Sequence, residues 1–242
     1  MELLTREDVR RMSDNGTRGP VVVNQDQKLT PGARDWLAAH KIQAVFPVGG
    51  DAHIAPPSTP QYRTLFGATL NEKPEHMTHL KGNILVRKDH PRIAFRGMID
   101  ALEGELLLAQ QAAESYPKLV AELGEALDLV RRLIRCDVLD EPVGELRLCG
   151  YDAGQLREYS HYPDKHLGQP HFLPAYTDGS ALLAVNKVRT LVRQTELSAY
   201  AAFKDVEGNV TRGDIILALN RLSSLMWILM IKLKAGQYEH AE

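Results

Sequence analysis

Arg189, Arg193 and Glu196 stand at steps of four and three, and Asn186 and Tyr200 extend the same line. Residues three and four apart share one face of a helix, and like charges at that spacing repel. Two arginines so placed call for an anion or a facing carboxylate, and guanidinium forks suit phosphate oxygens bidentately. The same spacing describes a solvated face with an Arg193–Glu196 pair, and spacing alone favours that plainer reading. A second signal is Asn220-Arg221, set between the apolar runs Ile215–Leu219 and Leu225–Ile231. An arginine in a helix apolar on all sides must be paired or border a cavity, because an unpaired buried charge costs too much. A structural salt bridge and a ligand site satisfy that pattern equally well. Asp100 and Glu103 fall just off an apolar helical face, and Asp100 is a candidate partner for an arginine of the Arg189 line.

Ahead of Asp100 runs a polar stretch, Thr78-His79-Leu80-Lys81-Gly82-Asn83, followed by Arg87-Lys88-Asp89-His90-Pro91-Arg92. Lys81, Lys88 and Arg92 beside a glycine and before a helix suit phosphates, although the spacing of a Walker loop is absent. Alone, this stretch reads more simply as a solvated basic loop. The nine histidines include His76 and His79, then His161, His166 and His171. No carboxylate or cysteine joins them at a recognised ligand spacing, so no protein-bound metal is expected.

These residues need helices to hold them. From about Arg92 the apolar period becomes helical, with Phe95, Met98, Leu102, Leu106, Ala109 and Ala113 on one face. A second helix is expected over about 117–136, a short one around 153–159, a third over 180–203 and a fourth over about 212–234. Asp178 or Ser180 is expected to cap the third and Thr211 the fourth. In the third, Val185, Val188, Val192, Thr195 and Ala199 form the core seam, and the arginine line lies about 100° around from it. Four long helices with these connections imply an up-and-down bundle of four to five helices, ferritin-like and mainly α. Residues 1–75 differ. Thr5 can cap a short helix with Val9 and Met12 facing inward, Val21–Val23 and Ile42–Phe46 read as strands, and Thr30-Pro31 opens another helix. Residues 49–73, rich in Gly, Pro, Ser and Thr, read as a linker. The expected division is a small α+β segment at 1–75 and a helical bundle at 76–242.

Composition constrains the rest. The chain has 242 residues, 44% hydrophobic and 25% charged, with a formal charge of -2. That balance argues against bulk nucleic-acid binding and leaves room for a local basic pocket. Cys136 and Cys149 form no C-x-x-C pair, as expected of two thiols in a reducing compartment. The acidic N-terminus does not resemble a signal peptide. The run Ile215–Ile231 is broken by polar residues and is short for a membrane span. A soluble, cytoplasmic protein is expected.

Taken together, three separated segments resemble the bundle-type corrinoid adenosyltransferases. Lys88-Asp89-His90-Pro91-Arg92-Ile93, with Gly97 and Asp100, is similar to that family's K-D-x-P-R-V…G-x-x-D segment. Arg189-x-x-x-Arg193-x-x-Glu196 is similar to its R-x-x-x-R-x-x-E helix, and Asn220-Arg221-Leu222-Ser223 to its N-R-L-S helix. Leu29–Arg34, Met77–Leu80 and Ala218–Ser224 resemble the ethanolamine-utilisation branch in particular.

The resemblance implies an ATP:cob(I)alamin adenosyltransferase that moves the 5′-deoxyadenosyl group of ATP to the cobalt of a corrinoid (a transferase of the EC 2.5.1 class). It implies ATP with Mg²⁺ and cobalamin as the small molecules bound. Thr78, His79, Lys81 and Lys88 would hold the triphosphate, and Arg193, Glu196 and Asn220 would complete the ATP site. Asp100 and Arg189 would form an ion pair shaping it, and Arg189, Arg193 and Asp100 are the residues closest to the chemistry. Phe172, in His171-Phe172-Leu173-Pro174, would close the lower face of the corrin, although an ordinary core phenylalanine fits equally. The expected assembly is a homotrimer, with a dimer as the alternative for the ethanolamine branch. A reductase, an adenosylcobalamin-dependent lyase and a bacterial microcompartment are the expected partners. Members of that branch carry a cysteine cluster where this chain has Tyr62–Phe66, so no metal site is carried over. The alternative function on the same fold is a non-catalytic corrinoid carrier or chaperone.

Overall fold

The computed structural model describes residues 2–14, 20–24, 26–48, 51–53 and 62–240. The chain forms two compact units, Met1–Lys73 and Pro74–Glu242.

In the first unit, β1 (Glu2–Leu4) leads into α1 (Arg6–Asp14), followed by β2 (Val21–Val22), β3 (Gln27–Leu29), α2 (Pro31–Ala39), β4 (Ala44–Val48) and β5 (Asp51–His53). β1 pairs with β3 and β2 with β4, both in parallel, and β5 returns antiparallel on β4. A two-strand hairpin, β6 (Tyr62–Thr64) and β7 (Thr69–Leu70), follows. Thr5 caps α1: its hydroxyl accepts from the Asp8 N–H at 3.4 Å while the Asp8 carboxylate accepts from the Thr5 N–H at 2.8 Å. Thr30 caps α2, accepting from the Ala33 N–H, with Pro31 in the first helical position where no N–H is needed. Leu4, Val9, Val21, Val23, Ala33 and Leu37 make the core. Met12 is exposed rather than inward, since Val9 alone of the pair faces that core. Of the expected linker, the described parts hold β5 and the β6–β7 hairpin, and residues 49–50 and 54–61 lie outside the described residues.

The second unit begins with a hairpin, β8 (Met77–Lys81) and β9 (Ile84–Arg87), closed by Gly82-Asn83. Gly82 sits at φ +54°, a left-handed turn position that suits glycine. Four long helices follow: α3 (Pro91–Ala112), α4 (Pro117–Leu139), α7 (Ser180–Phe203) and α8 (Gly213–Lys234). Between α4 and α7 lie a small hairpin, β10 (Arg147–Leu148) and β11 (Tyr151–Asp152), then α5 (Ala153–His161) and α6 (Pro163–Leu167). The fold is the expected helical bundle with a small N-terminal α+β unit. α7 packs against both α3 and α8, and α3 against α4. The apolar seams read from the sequence are its core, with Phe95, Leu102, Leu106, Val185, Val188, Val192 and Leu219 fully buried, except that Ile99 rather than half-buried Met98 faces inward. α8 is covered by α7, α5, α6 and α4, which explains why it is apolar around most of its circumference.

Two expected caps are not used. α7 starts at Gly179 and α8 at Arg212 without side-chain caps. The Asp178 carboxylate instead accepts from the Ala175 N–H and pairs with Lys234 at 2.5 Å, and Thr211 donates to the Phe203 carbonyl.

Candidate functional site

The arginine line of α7 borders a cavity of about 410 Å³, within the range of small-molecule sites of about 300–1,000 Å³. α7 supplies Arg189 and Arg193, and α8 supplies Asn220, Ser223, Ser224 and Trp227 at steps of three and four. The loop after α6 supplies His171, Phe172, Leu173 and Pro174. One wall is aromatic. Phe172 stacks on Trp227 with centroids 5.3 Å apart, and His171 stacks on it at 5.8 Å. The Trp227 Nε1–H donates to His171 Nδ1 at 3.1 Å. His171 Nδ1 is therefore the acceptor, which leaves Nε2–H to donate to the His161 carbonyl at 3.2 Å. Both ring nitrogens are engaged, so His171 acts as a wall rather than a ligand.

The Arg189 guanidinium lies 5.3 Å from the Trp227 ring centroid and donates to Asn186 Oδ1 at 3.2 Å. Burial, and then neighbouring Arg193, pull its pKa below the ordinary guanidinium value. Arg193 is exposed at the cavity and, among the described residues, has no carboxylate partner. Glu196 accepts from Asn220 Nδ2 at 3.0 Å instead of pairing with Arg193. Asn220 Oδ1 in turn accepts from Arg221, whose Nε donates to the Ala153 carbonyl at 2.8 Å. Asn220 is exposed at the cavity and Arg221 half-buried, so neither is enclosed as the apolar pattern suggested.

A second pair of arginines four apart shows what neutralisation looks like. Arg92 and Arg96 on α3 share the Asp137 carboxylate, fully buried on α4, at 2.8 and 2.6 Å. The Arg189–Arg193 pair, by contrast, gathers positive charge beside an aromatic wall with no carboxylate between. Positive charge beside an aromatic wall suits an anion attached to an apolar or aromatic body.

The remaining expected site residues lie elsewhere. Thr78, His79 and Lys81 are on β8, and exposed Lys88 follows β9. Lys81 is ion-paired with Asp140 at the end of α4. Asp100 is exposed on α3, and the ion pair expected with Arg189 is not formed within the chain. Phe95, near the start of α3, meets Phe203, the last residue of α7, at 5.3 Å, and the two helices pack along each other, so they run antiparallel. Asp100 is thus level with about residue 198, and Arg189 lies about 13 Å further along the axis. The same register places the β8–β9 hairpin, at the start of α3, well away from Arg193. Thus Arg189, Arg193, Asn220 and Phe172 meet at one cavity, with Glu196 joined through Asn220, while Thr78, His79, Lys81 and Lys88 form a separate group.

Sequence reasoning missed Trp227 and the Asp137 cluster. Trp227 was accessible, seven residues beyond Asn220 and so on the same face. Asp137 was not, since nothing local marks a lone acid near the end of a helix as an arginine partner. Among the described residues, no group of three His, Cys, Asp or Glu side chains could hold a metal ion.

The family described as "Cobalamin adenosyltransferase" matches residues 68–233. Two proteins named "Corrinoid adenosyltransferase EutT", from Salmonella typhimurium strain LT2 and Escherichia coli K12, are 29% identical over 223 residues, covering 85% of this chain and 82% of theirs. Two solved structures of variant PduO-type corrinoid adenosyltransferases from Lactobacillus reuteri are also similar. One, complexed with ATP, has a TM-score of 0.47 at 16% identity and covers 69% of this chain and 94% of its own. The other, complexed with cobalamin and ATP, has a TM-score of 0.46 at 18% identity and covers 74% and 92%.

Proposed function

The chain belongs to the cobalamin adenosyltransferase family, and we propose that it transfers the 5′-deoxyadenosyl group of ATP to the cobalt of cob(I)alamin. The observation that carries the reading is the Arg189–Arg193 pair, which lacks a carboxylate and borders the Phe172–Trp227 wall. The triphosphate supplies the missing anion, and the aromatic wall faces the corrin. In the reaction the cobalt(I) electron pair forms a bond to the ATP 5′-carbon while the C5′–O bond breaks. Its electrons leave with the triphosphate, and the metal becomes formally cobalt(III). No proton is abstracted, so the protein needs no general base. Its work is orientation, and stabilisation of the departing anion by prepositioned cations. Arg193 meets the triphosphate, Glu196 and Asn220 hold the nucleoside end, and Phe172 excludes a lower ligand from cobalt.

Thr78, His79, Lys81 and Lys88 hold the triphosphate from the hairpin of a second copy, because one chain keeps them away from Arg193. Asp100 of that second copy pairs with Arg189 across the same interface, which leaves Arg193 to the triphosphate. The assembly is then a homo-oligomer, as a trimer or a dimer. Asp137 and Asp140 are already paired with arginine and lysine, a poor fit for a protein-bound Mg²⁺, so the ion would enter bound to ATP. The likeness to EutT supports a role in ethanolamine utilisation, in the cytoplasm or a microcompartment, with an adenosylcobalamin-dependent lyase as consumer and a reductase as supplier.

The test is an anaerobic assay with ATP and chemically reduced cobalamin, followed by visible absorbance. Adenosylcobalamin formation is expected. A folded, ATP-binding protein that forms none would make the chain a carrier instead.

A further inference from the structure

The end of α4 makes two contacts with β8. Asp137 binds Arg96, whose other two nitrogens donate to the carbonyls of His79 at 3.3 Å and Leu80 at 2.9 Å. Three residues on, Asp140 binds Lys81. The backbone of β8 is thus held by one guanidinium at the two residues between Thr78 and Lys81. Asp137 has no exposed surface, and each of its carboxylate oxygens takes an arginine: Oδ2 the Arg96 Nε–H and Oδ1 the Arg92 Nε–H.

This arrangement also answers an electrostatic problem. The end of a helix carries unpaired carbonyls and partial negative charge, which would repel a polyphosphate held on a neighbouring strand. Here the carbonyls of Cys136, Asp137 and Glu141 accept from Arg212, Arg92 and Arg212 respectively, at 2.7 to 2.9 Å. The end of α4 is therefore capped by guanidinium groups on the side where β8 passes.

We infer that Arg96, locked by Asp137, is the positioning residue of the triphosphate strand: it fixes the β8 carbonyls so that Thr78, His79 and Lys81 present their polar groups in one register. Arg96 touches no substrate, since Asp137 and the two carbonyls use its guanidinium. The inference rests on the proposal that β8 and Lys88 hold ATP, and the experiment separates the two.

Arg96→Lys keeps a cation opposite Asp137 but cannot bridge it to both carbonyls. Losing two charge-assisted bonds to β8 is expected to raise the Kd and KM for ATP about tenfold. The corrinoid KM should stay near that of the unaltered protein, while the thermal midpoint falls by a few degrees from the lost bonds. Lys88→Ala and Thr78→Ala are measured beside it, with ATP binding followed by calorimetry. A lower kcat or lower stability with unchanged ATP affinity would mean Arg96 is only structural, and overturns the inference. If Lys88→Ala and Thr78→Ala weaken ATP binding and Arg96→Lys does not, the positioning role fails while the triphosphate strand stands. If none of the three changes ATP binding, the strand does not hold ATP, and both fall.

Discussion

Two of the arginine pairs four residues apart, one on α3 and one on α7, differ in their surroundings by one residue. Asp137 lies between Arg92 and Arg96 and makes them structural. Among the described residues no carboxylate lies between Arg189 and Arg193, where burial and then Arg193 depress the Arg189 pKa. Under the proposed function, that charge meets the triphosphate. Arg193→Ala is therefore expected to abolish adenosyl transfer while leaving the thermal midpoint within a degree or two, since an exposed side chain with no partner contributes little to folding. A marked loss of stability, or near-normal turnover, would show that Arg193 belongs to the scaffold. The Arg189, Arg193 and Glu196 line was legible in the sequence because helical spacing alone places it on one face. The partner of Arg189 was not, because an expected pair with Asp100 needed the registry of α3 on α7.

At the scale of elements, α3 begins with a histidine cap that is sensitive to pH. His90 Nδ1 accepts from the Arg92 N–H at 3.1 Å, and this requires the ring nitrogen to be unprotonated. Burial, then Arg92 and Arg96, hold its pKa below the ordinary histidine value. The folded chain therefore binds fewer protons here than the unfolded chain. The stabilisation is complete above the unfolded pKa of about 6.5 and declines as pH falls from there towards the folded value. His90→Asn, which caps without titrating, is expected to flatten the pH dependence of chemical denaturation midpoints below about pH 6.5. An unchanged slope would place the titration elsewhere.

The β8–β9 hairpin was the element least legible in sequence. Its strands are five and four residues long, β8 being largely polar and β9 a nearly unbroken apolar run, so neither shows a clean alternation. Only Gly82-Asn83 signals the turn. A methyl group at Gly82 would have open space around it, so Gly82→Ala isolates backbone strain. A loss of about 1–2 kcal/mol is expected, read from urea unfolding. A neutral result would mean the turn relaxes to another type.

For the whole molecule, the decisive feature is that the expected ATP residues fall into two groups. A closed homo-oligomer repeats each surface and can bring one copy's hairpin to another copy's cavity. Mixing Lys88→Ala and Arg193→Ala subunits, each inactive alone, is then expected to restore about a quarter of the sites by random pairing across interfaces. Restoration should require subunit exchange, which mass photometry or labelled subunits can follow. A mixture that exchanges but stays inactive would place the site within one chain.

The sequence by itself determined the bundle. Its apolar seams repeat at helical spacing, a local property that burial then satisfies: Val185, Val188 and Val192 are fully buried as their period required. The same periodicity placed the arginine line beside the core. What only the tertiary structure decided was which charges are already neutralised. Asp137 reaches two arginines some 40 positions earlier in the chain, Lys81 pairs with Asp140, and Trp227 comes to rest between Phe172 and Arg189. Such pairings depend on the axial registry of packed helices, which sequence spacing does not encode. That registry left Arg189 and Arg193, among the described residues, without a carboxylate partner.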